Sequence, residues 1–528
     1  MFDRPPVAVI NSVWQKIPFN IKAAFFSAFI IGVLTHVFML TNKLPNHDEF
    51  AQIVGNPDHA FAGRWFLQYP AAISSIFSMP WVNGLLSVTY ISIAACLAVS
   101  LIKIKKGIYC GLVAGLMVTV PTVASTMTYM QLSDAYFFAL MLSCFAAFLA
   151  ERYKYGFIAA VVPITLSLGV YQSYYGVTAG LMILILIMEV LRDKTPAKKT
   201  LFKGMRFAGA LIAGVAIYLV IVRLTAPPTG LSANQAIDQI GQISPSDIPF
   251  LLRASYWWVA AYFLLDVRNF HFPFMPIVFI VTFLLCAILL VLWCTRKKVH
   301  KKPPKMVLLI VLLILFPLGC NIIYVMGAAW VHDLMVYGTV LIPVFMLAVV
   351  DLYTVEGLPK LKKGLLHAKV AVLSCWILTA VAALCIFNYW ITSNQAYIKL
   401  SYGYEQAYAQ SLLLLSRIQA LDEYTGDTGV VLVGTPRLEN GIPELNQITI
   451  TAAYGIELFG NWSYPYFLRR YLNFTQEVIF LRDGVVRDPA VAAIISELPL
   501  YPDSGSVVYI DGMIYVNFAV EKHDENNR

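Results

Sequence analysis

The stretch IKAAFFSAFIIGVLTHVFML, residues 21–40, decides the fold class, because a run of about 20 apolar residues is the length of one helical bilayer crossing. No small-residue cleavage site follows Leu40, so this run is predicted to be an uncleaved first span rather than a signal peptide. Hydrophobic residues make up 59% of the chain and charged residues 13%, and the mean hydropathy is +0.70. This composition excludes an ordinary soluble protein and predicts an α-helical polytopic membrane protein.

Hydropathy predicts about 11 membrane-spanning helices along the chain. They lie near residues 21–41, 82–102, 107–125, 132–150, 156–171, 174–191, 207–225, 272–294, 306–326, 334–352 and 369–391. With these spans, 24 of the 38 Lys and Arg residues fall on the side of the N-terminus, and only five lie in the opposite connections. The positive-inside rule then predicts a cytoplasmic N-terminus and an outer C-terminal region. The formal charge of +8 therefore indicates topology rather than nucleic-acid binding.

Two apolar stretches are interpreted as amphipathic helices on the outer interface rather than as spans. Counting residues 248–267 as a span would place the basic residues at 296–305 outside, against the same rule. Asp247 is predicted to cap this helix and Pro249 to lie in its first turn. The stretch 61–77, with Arg64 and Trp65 near its start, is predicted to be a second such helix. Together they would form a shallow vestibule.

Beyond residue 391 the sequence loses its long apolar runs, and residues 392–528 are predicted to form a small extracytoplasmic α/β domain behind a membrane domain of residues 1–391. A helix is predicted at 397–420 and strands at 429–434, 477–481, 507–510 and 513–518. The last two strands are predicted to join in a tight turn at Asp511-Gly512. All eight cysteines lie in or beside apolar spans, which argues against a disulfide framework.

Five groups of polar residues are predicted to converge at the outer ends of the spans, and each group also has a simpler interpretation. Asp48 and Glu49 can merely solvate a loop, Arg64 can contact lipid phosphates, Asp134 can cap its helix, and Gln172 with its tyrosines can form an interfacial belt. His332 and Asp333 can be a helix cap beside a wet loop. The five groups are Asp48-Glu49, Gly63-Arg64-Trp65, Gln131 with Asp134, Tyr171-Gln172-Ser173-Tyr174-Tyr175, and His332-Asp333 with Tyr337.

The order of these groups resembles one known family. A carboxylate pair is followed by Gly63-Arg64-Trp65, then Leu132-Ser133-Asp134-Ala135-Tyr136, then Val170-Tyr171-Gln172-Ser173. This pattern resembles the type II Gtr-like glucosyltransferases that modify O-antigens, over about residues 20–390. The resemblance implies a GT-C-like fold in the bacterial inner membrane. It also implies transfer of a sugar, glucose in this family, from a polyprenyl-phosphate carrier to a surface glycan.

Such a reaction suggests a role for each candidate residue. Asp48 is expected to be the catalytic base and Glu49 its partner, each carboxylate raising the proton affinity of the other. Arg64 is expected to hold the donor phosphate, and Trp65, Asp134, Gln172, Tyr175 and His332 are expected to line the substrate site. No metal is required by the sequence. Asp48 and Glu49 could hold a divalent cation, but two adjacent residues do not define a metal site.

Two other functions remain open from the sequence. A surface-polysaccharide polymerase or ligase would share the membrane architecture and the long outer loops. A lipid or polysaccharide flippase or transporter would also have 11 or 12 helices, on the order of the number predicted here. Transporters commonly carry charges near the bilayer midplane and internal repeats, and this sequence has neither.

Overall fold

The computed structural model describes residues 5–51, 59–227, 243–265, 270–327, 331–355, 366–436, 442–450 and 463–518. In the membrane part the helices are α1 Pro6–Lys16, α2 Phe19–Thr41, α3 His47–Ala51, α4 Gln68–Ala71, α5 Pro80–Ile102, α6 Gly107–Thr119, α7 Pro121–Met127, α8 Met130–Arg152, α9 Gly156–Ala159, α10 Val161–Val170, α11 Tyr175–Arg192, α12 Ala197–Thr225, α13 Ile248–Leu264, α14 Met275–Arg296, α15 Pro303–Cys320, α16 Ile322–Met326, α17 Leu341–Val355 and α18 Leu366–Gln419. Short 3-10 turns lie at Ala60–Ala62, Ala72–Ser74, Gln172–Tyr174, Val299–Lys301, Asp333–Met335 and Tyr337–Val340.

The prediction of a polytopic helical membrane protein is confirmed. Within the described ranges nine helices are long and apolar enough to cross a membrane, namely α2, α5, α8, α11, α12, α14, α15, α17 and α18. A tenth candidate is the pair α6 and α7, which is bent by 45° at Val120. The bend is explained by Pro121, whose backbone nitrogen has no hydrogen to continue the hydrogen-bond ladder of α6.

The predicted fifth span is shorter than expected. Residues 156–170 form α9 and α10 in succession, and this apolar stretch falls short of the length of a span. Its 15 residues reach about 22 Å along a helix axis, less than the ~30 Å hydrocarbon core. By length and composition the described residues therefore hold up to ten candidate spans, and residues 156–170 form a shorter apolar stretch beside them. This stretch leads from Glu151, which lines one cavity, to Tyr171, which lines another.

The structure contains one of the two predicted interfacial helices but not the other. Helix α13 is confirmed as a helix outside the candidate spans, with Pro249 in its first turn. The predicted cap is wrong, because the side chain of Asp247 makes no capping hydrogen bond. A single helix over 61–77 is also wrong: the chain there forms α4 between two 3-10 turns. The left-handed backbone of Gly63 and Ser75, with φ of 66° and 68°, bounds these turns.

The C-terminal part contains a four-stranded sheet formed by β1 Gly429–Val433, β2 Val478–Leu481, β3 Val507–Ile510 and β4 Met513–Asn517. The strand order is β2-β1-β4-β3, with β1 parallel to both neighbours and β3 antiparallel to β4. Helices α19 Pro443–Asn446, α20 Tyr464–Tyr471 and α21 Pro489–Glu497 accompany the sheet. The four predicted strands are confirmed, and so is the turn at Asp511-Gly512, where both residues have positive φ.

Helix α18 joins the two parts without a break. The sequence predicted a span at 369–391 and a separate helix at 397–420, but both belong to this one helix of 54 residues. At 1.5 Å per residue it is about 80 Å long, far more than a bilayer requires. The predicted domain division after residue 391 falls inside it and stays a prediction.

Buried polar side chains connect helices that are distant in the sequence. His36 on α2 contacts the Tyr397 hydroxyl of α18 at 2.8 Å and the Val118 carbonyl of α6 at 2.9 Å. Asp351, near the end of α17, accepts the backbone N–H groups of Lys105 and Lys106, each at 3.0 Å. Asp351 therefore fastens the turn between α5 and α6 to a helix some 245 residues later.

We expect Asp351→Ala to lower the free energy of unfolding by about 1–3 kcal/mol, because it leaves two backbone donors without their carboxylate acceptor. Asp351→Asn, which keeps one acceptor oxygen, should lose less. Thermal unfolding of the purified protein in detergent would measure both. Thr89→Ala is the control, since the Thr89 hydroxyl bonds only within α5, to the Leu85 carbonyl. Equal melting temperatures for Asp351→Ala and Thr89→Ala would contradict the proposed fastening.

Candidate active site

The segment that carries Asp48 begins after α2 and turns into the short helix α3. The Asn46 side-chain oxygen accepts the backbone N–H of Asp48 at 3.0 Å and that of Glu49 at 3.1 Å, which caps the start of α3. The Asp48 side chain is 37% exposed, and its carboxylate lies 3.3 Å from Nε2 of His47. Asp48 is therefore fixed at the backbone but open to a ligand at its carboxylate.

Glu49 has a different environment from its neighbour. Its side chain is buried, and its carboxylate accepts a hydrogen bond from the Ser78 hydroxyl. Burial raises the pKa of the Glu49 carboxyl to about 7, although Ser78 and Lys43 favour its charged form. The largest cause of this shift is burial, and not the neighbouring carboxylate that the sequence suggested.

Arg64 lies beside two tyrosine rings that are in contact with each other. Its Nη1 donates to the Tyr136 hydroxyl at 3.1 Å, and its guanidinium carbon lies 5.8 Å from the Tyr136 ring centre and 5.1 Å from that of Tyr171. The two rings are themselves 4.8 Å apart. Within the described residues Arg64 forms no ion pair with a carboxylate, and its Nε has no hydrogen-bond partner. The aromatic faces stabilise the cation but do not neutralise it.

Asp48 and Arg64 line one cavity of 440 Å³, here called the Asp48 cavity. Each of the five predicted groups contributes a residue to it, so the predicted convergence is confirmed. Glu49, Trp65, Asp134, Gln172 and Tyr175 lie outside its described lining. The polar residues of that lining are His47, Asp48, His59, Arg64, Tyr129, Gln131, Tyr136, Tyr171 and His332.

The electrostatics of the Asp48 cavity favour neutral hydrogen-bonding groups between one acid and one cation. Burial, followed by the Asp48 carboxylate, raises the pKa of Tyr129 well above its usual value, so its hydroxyl keeps its proton. Burial lowers the pKa of His332, against the opposing charge of Asp333, and the imidazole is therefore neutral at pH 7. Gln131 adds a buried side-chain oxygen that has no partner.

Two of the other predicted site residues, Gln172 and Trp65, support the segment around Arg64, and Tyr175 packs against the core. Gln172 donates to the Ala62 carbonyl and to the Tyr218 hydroxyl, each at 2.9 Å. Trp65 packs against Gly169, where an added Cβ would come within 2.7 Å of the indole ring. Tyr175 begins α11 and packs partly buried against the core. These contacts are with the protein itself, and a direct role in substrate binding stays a prediction for all three.

Asp134 and Tyr136 show what the sequence missed. The Asp134 carboxylate is buried and accepts from the Asn83 side chain at 3.3 Å, whereas Tyr136 reaches Arg64. Two residues along a helix are about 200° apart around its axis, so only one of the two can face the cavity. Both residues occur in the sequence motif, but the sequence alone does not show which of the two faces the cavity. His47 and His59 carried no sequence signal beyond their proximity to the predicted groups.

No group of three or more His, Cys, Asp or Glu side chains suited to a metal ion occurs in the part of the chain that the structure describes. Asp48 and Glu49 point into different surroundings, and Glu49 is occupied by Ser78. The two carboxylates therefore do not form a ready-made cation site.

Comparison with known proteins identifies the family of the chain. The family model described as glucosyl transferase GtrII matches residues 37–343, more than half of the chain, and this region includes the whole described lining of the Asp48 cavity. No curated protein and no solved structure matches the chain. The match favours the enzyme over the flippase or transporter alternative. The chain belongs to the GtrII family of glucosyl transferases and is a multi-pass membrane glycosyltransferase.

Proposed function

We propose that this enzyme transfers glucose from a polyprenyl-phosphate carrier to a surface glycan such as O-antigen. The reaction takes place in the Asp48 cavity, on the outer face of the bacterial inner membrane. The observation that carries the proposal is an open carboxylate, Asp48, in one cavity with an arginine that forms no ion pair with a carboxylate among the described residues. This cavity lies at the ends of the spanning helices.

Arg64 supports the choice of a phosphate-linked donor. A partly buried guanidinium needs an anion, and the described residues around it supply tyrosine rings but no carboxylate ion pair. Its buried Nε–H has no partner among the described residues, and arginine binds phosphate through parallel N–H donors. The donor phosphate supplies the missing negative charge.

The position of the cavity supports a lipid-linked donor. Its lining includes Gln131 and Leu132, in the first turn of the spanning helix α8, and Arg64, from the segment between α2 and α5. A donor in this place keeps its isoprenoid tail among the lipids and presents its phosphosugar to the cavity. The outer location of this end rests on the distribution of lysine and arginine among the connections.

Asp48 supplies the base for the transfer. As the acceptor hydroxyl oxygen forms its bond to the anomeric carbon, its proton passes to the Asp48 carboxylate. The bond between the anomeric carbon and the phosphate oxygen breaks, and its electron pair leaves with the lipid phosphate. Arg64 stabilises the charge that grows on that oxygen, while the protonated Tyr129 hydroxyl can donate to it or to the sugar. A single displacement of this kind requires one base and inverts the anomeric centre.

Glu49 and Phe50 hold the Asp48 segment in place. Phe50 is fully buried, and its ring lies 4.8 Å from that of Phe467 and 4.9 Å from that of Tyr471, both on α20. The Tyr404 ring of α18 stacks at 6.3 Å. Aromatic residues of the C-terminal domain therefore pack around Phe50, two positions after Asp48. We propose that positioning this base is one role of the domain.

Asp48→Asn is expected to lower turnover by about 10²–10⁴-fold, because the amide cannot accept the proton of the acceptor. Glu49→Gln is the matched neighbour and should retain much more activity, since a neutral side chain can keep its bond to Ser78. The assay uses vesicles with radiolabelled polyprenyl-phosphate glucose and O-antigen acceptor, and counts label in the glycan. Wild-type rates in both variants would remove this segment from the mechanism. Movement of the donor across the bilayer without transfer would instead support a flippase.

Arg64→Lys is expected to lower turnover at saturating donor by about 100-fold, because a single ammonium replaces the planar guanidinium at the phosphate. Arg64→Ala should be at least as impaired. Arg253→Lys, an exposed arginine on α13, provides the control and should match the wild type. A near-normal rate for Arg64→Lys in folded protein would reduce Arg64 to a lipid-facing anchor.

Phe50→Ala is expected to lower kcat by about 10–100-fold with little change in the KM for the donor, since it displaces the base and leaves Arg64 intact. Phe50→Leu should recover part of the rate. Phe518→Ala removes another buried aromatic of the same hydrophobic cluster, next to the end of β4, and controls for lost stability. If both alanine variants show the same kcat per folded molecule, Phe50 has no positioning role.

A further inference from the structure

A second cavity lies at the opposite ends of the spanning helices. Its volume is 780 Å³, larger than the Asp48 cavity, and it is lined by residues at the ends of α5, α8, α11 and α17 and the start of α12. Helix α8 connects the two places, since Gln131 lines the Asp48 cavity and Glu151 lines this one. The 20 residues between them correspond to about 30 Å, the thickness of the hydrocarbon core.

This second cavity, here called the lysine cavity, is strongly cationic. Seven basic side chains and three acidic ones line it in the described part of the chain. The basic residues are Lys103, Lys105, Arg192, Lys194, Lys199, Lys203 and Lys297, and the acidic residues are Glu151, Glu189 and Asp351.

All three acids of the lysine cavity are already engaged. Glu151 pairs with Lys103 at 3.4 Å and with Lys203 at 3.0 Å. Glu189 pairs with Lys203 and accepts from the Thr200 hydroxyl at 2.9 Å. Asp351 accepts two backbone N–H groups from the turn after α5. The acids therefore have little capacity to neutralise further cations.

Three lysines of the cavity remain without an acid. Lys105, Lys194 and Lys199 form no ion pair with a carboxylate among the described residues, although all three face the same space. Three ammonium groups around one cavity repel one another unless an anion lies between them. The charge pattern therefore fits a ligand that brings more than one negative oxygen.

The surroundings favour a lipid headgroup as the source of that anion. The cavity wall also contains the apolar side chains of Leu101, Ile185 and Leu352 at the helix ends. Next to Lys199 and Lys203, α12 exposes Phe202, which is about half exposed. A lipid can place its phosphate among the lysines and its acyl chains along these apolar side chains.

We propose that the lysine cavity binds the phosphate headgroup of an anionic phospholipid, in the leaflet opposite to the Asp48 cavity. Lys105, Lys194 and Lys199 supply the unpaired charge. The ion pairs among Glu151, Glu189 and Lys203 stabilise the wall of the cavity. The bound lipid joins the ends of α5, α8, α11, α12 and α17, five helices of the catalytic domain, and is distinct from the sugar donor.

The test compares the full-length protein with the triple variant Lys105→Gln, Lys194→Gln and Lys199→Gln. No carboxylate ion pair of the described chain is lost in it, so the fold should survive. The control triple Lys16→Gln, Lys198→Gln and Lys301→Gln removes the same charge from lysines outside the lining. Native mass spectrometry of protein extracted from phosphatidylglycerol or phosphatidylcholine nanodiscs measures retained lipid. Thermal unfolding with each added lipid gives a second measurement.

We expect wild type and control triple to retain phosphatidylglycerol in preference to phosphatidylcholine, and to be stabilised by it. The cavity triple should bind phosphatidylglycerol roughly 100-fold more weakly, since each of the three lysines contributes about a fivefold factor near a lipid headgroup. Equal retention by the two triples would overturn the site. Binding of soluble glycerol phosphate as tight as that of phosphatidylglycerol would overturn the lipid assignment and leave a site for free phosphate.

Discussion

The hydrocarbon core allows no unpaired backbone N–H or C=O group, and the rest of this structure depends on that constraint. Regular helices fill the membrane thickness, and the irregular segments collect at the helix ends, where water or protein can satisfy them. The Asp48 segment, the turns around Arg64, and the turn that contains Tyr171 and Gln172 are all such places. A site that requires side chains from several connections can therefore form only at one end of the bundle.

The chemistry of the site depends on keeping two charges apart. Asp48 and Arg64 share one cavity without forming an ion pair, and the tyrosines of its lining supply ring faces and hydroxyls rather than charge. A direct pair would neutralise both groups and lower the basicity of the carboxylate. In the proposed reaction, this separation leaves Asp48 as a base for the acceptor and Arg64 as a cation for the departing phosphate. At the opposite helix ends three lysines likewise form no ion pair with a carboxylate among the described residues.

Two features connect the membrane part of the protein to its C-terminal part. Helix α18 runs through both, and Phe50 inserts among aromatic residues of α18 and α20 immediately beyond Asp48. Aromatic contacts of this kind combine a large buried area with a defined geometry. The position of the Asp48 carboxylate therefore depends on residues more than 350 positions away in the sequence.

The sequence by itself determined the membrane helices, the strands of the sheet, the Asp511-Gly512 turn and the end of the bundle where the polar groups meet, because these follow from local hydropathy and turn chemistry. The order of its motifs also indicated the family. Tertiary structure alone decided that Tyr136 rather than Asp134 faces Arg64, that Glu49 turns away from Asp48 to Ser78, and that α18 continues past residue 391. It also decided that residues 156–170 form a shorter apolar stretch than the other membrane helices. Each of these depends on which neighbour occupies a given face, and a neighbour distant in sequence leaves no trace in local periodicity.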